Sequence, residues 1–333
     1  MDSFWSRLPR PFFVLAPMAD VTDAAFRSLI AEKGAPHVTW TEFVSADGLY
    51  HTREPRSDGS VVYASDAENP LIRDLRFTEG ERPIVAQLFS AKPEMMRYGA
   101  KLCAELGFDG IDINMGCPDK TIEKQGCGAA MIKDPALAAS VLEAAREGAR
   151  EGRAGGLPVS VKTRIGYSRE DIDGWIRHAI TMRPDALTVH LRTRKEMSLV
   201  PAHWELMPRI VALRDEIAPG MPIIGNGDAE DLDDARKKAE ASGCDGVMLG
   251  RGIFGNPWLF SGRNLADIPL DERLAALVEL AKRFETLAPR KSFHILKKHV
   301  KAFVKDFDGA AELRGKLMQT ETAAELENVA GTL

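Results

Sequence analysis

At 333 residues, 44% of them hydrophobic and with a mean hydropathy of −0.19, the chain can bury one large core, or a large and a small one. A formal net charge of −5 excludes a nucleic-acid binder of the simple basic kind, and no apolar run is long enough to cross a bilayer. The four cysteines, Cys103, Cys117, Cys127 and Cys244, contain no C-x-x-C pair, so neither a structural zinc site nor a disulfide framework is expected.

Residues 1–11, "MDSFWSRLPRP", lack the apolar centre of a signal peptide, and a cytoplasmic protein is expected. Eight short runs follow: "FFVLA" (12–16), "VTWTEF" (38–43), "IVAQLF" (84–89), "IDIN" (111–114), "VSVKT" (159–163), "LTVHL" (187–191), "PIIGN" (222–226) and "VMLG" (247–250). Rich in Val, Ile and Leu with little alternation, they read as strands of a parallel sheet covered on both faces. Helical patterns separate most of them, at 23–34, 93–107, 134–150 and 231–243, with Asp or Pro at the start and Gly near the end. Eight such alternations predict an α/β fold, a (β/α)8 TIM barrel, over residues 1–265. A doubly wound open sheet is the alternative, but no G-x-G-x-x-G follows the first strand.

One stretch breaks the rhythm. Residues 50–82 hold a D-G turn signal and the strand-like "VVYA", which predict an inserted hairpin. From 266 to 333 the alternation stops, and "DERLAALVELAKRFETL", "SFHILKKHVKAFVKDF" and "AAELRGKLMQTETAAELENV" predict three amphipathic helices, a small all-helical C-terminal domain. Residues 282–316 carry ten Lys or Arg against four Asp or Glu, a local charge of +6 in an otherwise acidic chain.

In such a barrel the chemistry gathers where the strands end. The eight runs end in or near Pro17-Met18-Ala19, Glu42, Gln87, Asn114 with Cys117, Lys162 with Arg164, His190 with Arg192, Asn226-Gly227-Asp228, and Gly250-Arg251. A lone His or Lys at a strand end is an ordinary structural or solvated residue; eight polar groups delivered to one end predict an active site. The glycine-rich "GNGD" and "GRG" turns after strands seven and eight are suited to a phosphate, with Arg251 as a permanent cation. Gln87 and Lys162 suit the polar edge of a flat heterocycle. FMN fits this set, as would another phosphorylated ligand. Cys103 and Cys244 read as small buried hydrophobes, Cys127 as a structural residue of a glycine-rich loop, and Cys117 as a thiol at a strand-to-loop junction.

Taken together, "APMADVTDAAFR", "DINMGCPDKTIEKQGCGAAMIKDP", "VSVKTRIG", "VHLRTR", "IIGNGD" and "GVMLGRGIFGNPWLF" resemble the tRNA-dihydrouridine synthases, in order from about residue 12 to 260. The resemblance implies an oxidoreductase that uses FMN and NADPH to reduce the C5–C6 double bond of particular tRNA uridines. It implies Cys117 as the catalytic acid that protonates C5. It implies flavin contacts from Pro17, Met18, Ala19, Gln87, Lys162, His190, Asn226, Gly227, Asp228, Gly250 and Arg251, with Asn114 and Arg192 near the uracil. The basic helices resemble the family's RNA-contacting domain, which makes Lys291, Lys297, Lys298, Lys301 and Lys305 candidates for phosphate contacts. A target uridine must leave its stack to reach a barrel mouth, at a cost of a few kcal/mol that such contacts help meet. The sequence departs from the family pattern at Leu191, where a small residue is usual, and "KEMSLVPAHW" (195–204) is found in some members only.

The expected partner is therefore tRNA, with no membrane, no metal and no second copy of the chain. Three other readings stay open at this point. One is a flavin barrel acting on a free small molecule, of the dihydroorotate dehydrogenase or ene-reductase type, and the second is an rRNA-directed dihydrouridine synthase. The third is an RNA-binding protein that keeps the barrel without its catalysis.

Overall fold

All eight expected strands form, as β1 (Phe12–Leu15), β2 (Thr39–Ser45), β3 (Ile84–Phe89), β4 (Gly110–Met115), β5 (Val159–Arg164), β6 (Leu187–His190), β7 (Ile223–Asn226) and β8 (Gly246–Leu249). The computed structural model describes residues 3–53 and 65–331. Neighbouring strands are parallel in the order β1-β8-β7-β6-β5-β4-β3-β2. The ring closes through a parallel bridge of Val14 with Val38, where the Leu15 N–H donates to the Val38 carbonyl at 3.2 Å. Closure leaves no sheet edge unpaired.

Helices α1 (Ala24–Gly34), α2 (Ala46–Arg53), α3 (Pro70–Asp74), α4 (Pro93–Glu105), α5 (Lys120–Glu123), α6 (Pro135–Gly152), α7 (Arg177–Thr181), α8 (Met207–Ile217) and α9 (Leu232–Ser242) fill the connections as far as β8. Their starts are those the residue types dictate. Asp23, Asp134 and Asp231 cap α1, α6 and α9 by accepting the backbone N–H of Phe26, Leu137 and Asp234. A Cβ on Gly148 would lie 2.0 Å from the Arg97 carbonyl oxygen, so α4 and α6 cross with their backbones in near contact. After β8 there is no long helix in the eighth position, only short 3-10 turns between Arg251 and Asp267.

Alternation decides what faces the barrel interior. Phe12, Val14, Val38, Trp40, Val85, Ala186, Ile224 and Met248 form one inner apolar cluster, joined by Trp5 from the first 3-10 turn (Phe4–Arg7). Trp5 lies 5.9 Å, ring to ring, from both Phe12 and Trp40 and closes the barrel floor. Burying a large apolar side chain in this way contributes about 1.5–3 kcal/mol. The outward faces pack on the helices in a second, larger cluster.

The chain ends in helices α10 (Leu270–Glu285), α11 (Lys297–Phe303), α12 (Ala310–Leu317) and α13 (Ala323–Ala330), which pack together, with α10 also lying on α1. The third expected helix is in fact two. Thr322 accepts the Glu325 N–H and starts α13 afresh. The buried Lys297 ammonium donates to the Leu317 carbonyl at 3.1 Å and also reaches the Thr320 carbonyl, terminating α12 with a cation. The hairpin expected within 50–82 rests on "VVYA", which lies outside the described residues. The described flanks of that stretch are helical at 46–53 and 70–74.

Candidate active site

The same alternation that turns Val14 and Ile224 inward near the floor turns Gln87, Asp112, Asn114, Ser160, Lys162, Thr188, His190 and Asn226 inward above it. At the C-terminal ends of the strands Gln87, Asn114, Lys162, His190 and Asn226 line a cavity of about 270 Å3. Its wall includes Pro17, Met18, Gln87, Asn114, Cys117, Lys162, His190, Arg192, Asn226, Gly227, Asp228, Gly250 and Arg251. Ala19 is not in the wall, while Phe43, Arg164 and Ser198 are. A larger hollow of about 810 Å3 lies at the opposite end of the barrel, beside Arg82, Asp109 and Asp185, with no cysteine, histidine or lysine in its lining.

A polar relay runs up one side of the cavity. The buried Asp112 carboxylate accepts from Ser160 Oγ at 2.6 Å and from Gln87 Nε2 at 2.7 Å. Because a carboxylate only accepts, Gln87 must present Oε1 on its other side, where it takes a hydrogen bond from Asn114 Nδ2 at 3.1 Å. Asn114 Oδ1 in turn accepts the backbone N–H groups of Gly116 and Cys117, at 3.1 and 2.9 Å. The turn carrying Cys117 is thus held from the barrel interior. It is held from the other side by Ala129 N–H on the Cys117 carbonyl at 2.9 Å. Gly128 makes that approach possible: it sits at φ +61°, and a Cβ there would stand 2.7 Å from the Cys117 oxygen.

Burial pushes the half-buried Cys117 thiol up from its ordinary value, with the Asp119 N–H opposing and the Asp119 charge adding to the shift. The thiol therefore keeps its proton at neutral pH. Burial also raises Asp112 to about 6, against the hydrogen bonds from Ser160 and Gln87. Cys127 faces away into the loop interior, donating to the Gln125 carbonyl, and burial raises it to about 11. Cys103 and Cys244 are buried.

Cations dominate the opposite wall. Desolvation, together with Arg164, lowers Lys162 to about 8, and Asn226 Oδ1 at 3.1 Å is its one hydrogen-bond acceptor among the described residues. A half-buried ammonium with N–H groups left over is what an acceptor-rich ligand edge would complete. His190 is driven well below its usual range by burial and by Lys162, Arg164, Arg192 and Arg251, so the ring is neutral. Arg192 Nη1 donates to His190 Nε2 at 3.1 Å, which leaves the ring proton on Nδ1.

Two of the expected residues, Arg192 and Asp228, line the cavity with side chains already engaged by the protein. Arg192 was expected near a uracil; it is buried, with Nε on the Val200 carbonyl at 2.6 Å, Nη1 on His190 and Nη2 on Asp228. Asp228 bridges Arg192 and Arg251 (Nη2 to Oδ1, 2.5 Å) and accepts the Ala202 N–H at 2.8 Å. Its carboxylate orients the arginines, and its backbone is the part suited to an anion, following Gly227 (φ +128°) with its own φ of +50°.

Arg164, seen in the sequence only as a strand end, links both loops of the mouth. Nε holds the Gly116 carbonyl at 2.7 Å and Nη1 the carbonyls of Thr193 and Met197 at 3.1 and 2.9 Å. Glu42, expected at the end of its run, lies inside β2, which continues to Ser45, and it is absent from the cavity wall, held in an ion pair with Lys291 at 2.7 Å. That pair corrects the reading of the basic tail: Lys291 is buried between Glu42 and Asp74, and Lys297 lies inside the helical unit. Lys298, Lys301 and Lys305 do reach solvent. Leu191 is fully buried and takes no part in the wall.

The pattern of the dihydrouridine synthase (Dus) family matches residues 14–332. The chain belongs to this family. The chain is 43% identical, over 98% of its length and 94% of the relative's, to "Probable tRNA-dihydrouridine synthase 2" of Bacillus subtilis (strain 168). It is 42% identical to "Probable tRNA-dihydrouridine synthase" of Staphylococcus aureus (strain COL), over 97% and 93% of the two chains. Among solved structures it resembles morphinone reductase, with a TM-score of 0.52 at 13% identity over 77% of this chain and 86% of the other. Histamine dehydrogenase from Rhizobium sp. 4-9 gives the same score at 13% identity, over 82% of this chain and 49% of the other. At such identities the likeness is one of fold. Among the described residues no helix is long and apolar enough to cross a membrane, and no group of His, Cys, Asp or Glu is placed to hold a metal ion.

Proposed function

We propose that the protein is a tRNA-dihydrouridine synthase that holds FMN in the mouth cavity and is supplied with electrons by NADPH. The observation that carries this reading is Cys117, a protonated thiol on a turn fixed by Asn114, in one cavity with Lys162, whose ammonium has a single acceptor, Asn226, among the described residues. The residues present fit the flavin. Lys162 and Gln87 offer donors to a heterocycle edge, and the backbone at Gly227, Asp228 and Gly250, with Arg251, offers donors to a phosphate. Reduced FMN, when bound, supplies hydride to C6 of the uracil.

The chain's own residues supply the rest. Cys117 keeps a proton on Sγ and delivers it to C5 as negative charge develops there. Asn114 and the buried Asp112 keep the thiol's turn from drifting, so that the donor meets its acceptor in one geometry. His190, neutral, and Lys162, cationic below pH 8, stabilise negative charge in the cavity. Lys298, Lys301 and Lys305 supply phosphate contacts for the RNA.

The deciding experiment incubates the purified protein with FMN, NADPH and an unmodified tRNA transcript, followed by nucleoside mass spectrometry. Dihydrouridine at a defined position supports the reading. Its absence, with product appearing on ribosomal RNA or on a small enone instead, overturns the tRNA assignment.

Lys162 also sets a pH dependence. Its ammonium is mostly charged below about pH 8 and mostly neutral above, so a ligand that favours the cation binds more weakly as pH rises through that range. By linkage, FMN affinity of the apoprotein should fall about tenfold between pH 7 and 9. Flavin fluorescence titrations should show this loss, and Lys162→Met should remove it by binding weakly at both pH values.

A further inference from the structure

Among the described residues, Leu199 is the most exposed large hydrophobic side chain at 84%, and Met197, two positions earlier, follows at 44%. A single exposed leucine is ordinary. This pair is set apart by where it stands and by how it is held.

Between the two lies Ser198, which lines the mouth cavity together with Cys117, Arg164 and Arg192. The stretch is the loop joining β6 to α8, the same "KEMSLVPAHW" segment whose pattern the flavin site does not use. Its backbone is anchored at both ends by the two buried arginines of the cavity wall. Arg164 holds the carbonyls of Thr193 and Met197, and Arg192 holds that of Val200 at 2.6 Å. Glu196 completes the loop, accepting the Thr193 N–H at 2.7 Å and pairing with His203 at 3.1 Å, while its own carbonyl accepts the Leu199 N–H at 2.9 Å. Met197 is kept at φ +54°, a conformation that costs a non-glycine residue about 1 kcal/mol or more and persists only where the surroundings impose it.

A loop braced in this way presents its apolar tip to water beside the opening through which the substrate must enter. Nothing in the stability of the chain calls for a leucine at that point. Lys195 of the same loop is exposed as well. An apolar tip next to a cation suits a nucleic acid, whose bases are apolar on their faces and whose backbone is anionic.

We infer that Leu199 is a wedge for the RNA substrate, packing against a base face at the mouth and occupying space left when the target uridine leaves its stack. Apolar side chains inserted between base steps act in this manner in other protein–nucleic-acid contacts. The inference rests on the tRNA reading above. The wedge lowers the net cost of extrusion and takes no part in the transfer of hydrogen.

The test compares the parent chain with Leu199→Ser and Leu199→Met as FMN holoenzymes, in two assays. One follows dihydrouridine formation in a tRNA transcript; the other follows NADPH oxidation with dioxygen as acceptor, which needs no RNA. Removing the wedge should lower kcat/KM for tRNA about 5-fold or more, the lower end of the loss when a base gives up a stacked aromatic side chain. The serine variant should oxidise NADPH at the parent rate, and the methionine variant should retain most of the tRNA activity. Equal tRNA activity in the serine variant and the parent overturns the wedge, as does a parallel loss in both assays. If the parent itself makes no dihydrouridine in tRNA, it is the functional reading that fails, and the wedge with it. Because Leu199 is exposed, the serine variant should melt at the parent temperature, and a lowered Tm would also count against a role confined to substrate.

Discussion

A Cys117→Ala variant should form dihydrouridine in tRNA about 10^2 to 10^4 times more slowly than the parent, the usual contribution of a positioned general acid. It should still bind FMN and still be reduced by NADPH. The thiol sits on the loop side of the cavity, while the donors suited to a flavin, at Gln87, Lys162 and the turns after β7 and β8, come from other strands. The substitution removes one sulfur from a half-buried turn that Asn114 and Ala129 hold through the backbone N–H and carbonyl of residue 117, which the variant keeps. The fold should therefore survive, and Tm should hardly move. Mass spectrometry of tRNA nucleosides reads the first effect, and flavin absorbance during NADPH addition reads the second. Equal loss of both would mean that Cys117 supports the flavin site and is not the acid. Unimpaired dihydrouridine formation would move the proton donor elsewhere. Burial raises the thiol above its ordinary value, so the parent should hold its activity through neutral pH and lose it only on the alkaline side.

Much of this site was legible because a barrel converts sequence position into place. Each strand is short and buried on both faces, so an inward-facing polar residue near its C-terminal end opens onto the barrel mouth, whereas Glu42 of β2 does not. Gln87, Asn114, Lys162, His190 and Asn226 were found in that way. Asp112 was not, although it shares its parity with Asn114 on the same strand. Inside "IDIN" a single acid reads as noise unless the alternation of all eight strands is followed one layer deeper. Arg164 was visible as a strand end, but its work is done through the carbonyls of Gly116, Thr193 and Met197, and backbone acceptors leave no mark in a sequence. The tail shows the opposite error. Its charge was counted correctly, yet a count cannot tell a lysine facing water from one facing a partner far along the chain. Lys297 caps a neighbouring helix, and the break in "KLMQTETAAEL" that it stabilises carries only the T-x-x-E signal at Thr322.

Lys291 shows what such a misread lysine does instead, and it is the second residue whose loss should be felt strongly. Its ammonium lies 2.7 Å from Glu42 and 3.2 Å from Asp74, with side-chain exposures of 5% for the lysine and 7% for Glu42. Glu42 also accepts the Asp20 N–H, in the loop whose neighbours Pro17 and Met18 line the cavity, so the tail is tied to the mouth through one carboxylate. The two partners shift in ways that disagree about the worth of the pair. Burial outweighs Lys291 at Glu42, whose pKa rises toward the neutral form. At Lys291 burial is itself outweighed by Glu42 and Asp74, and the pKa rises toward the charged form. Intact, the pair is therefore near break-even, as buried ion pairs commonly are, whereas breaking one by removing a partner destabilises by about 3–5 kcal/mol. Lys291→Ala should show a loss of that size in urea unfolding, with the helical tail loosening from the barrel and tRNA affinity falling with it. Glu42→Gln combined with Lys291→Met should recover most of the stability, because it removes both buried charges and leaves an amide oxygen for the Asp20 N–H. If the single variant were as stable as the parent, Lys291 would not be the latch between tail and barrel. If the double variant were no better than the single one, the loss would come from packing and not from the stranded carboxylates.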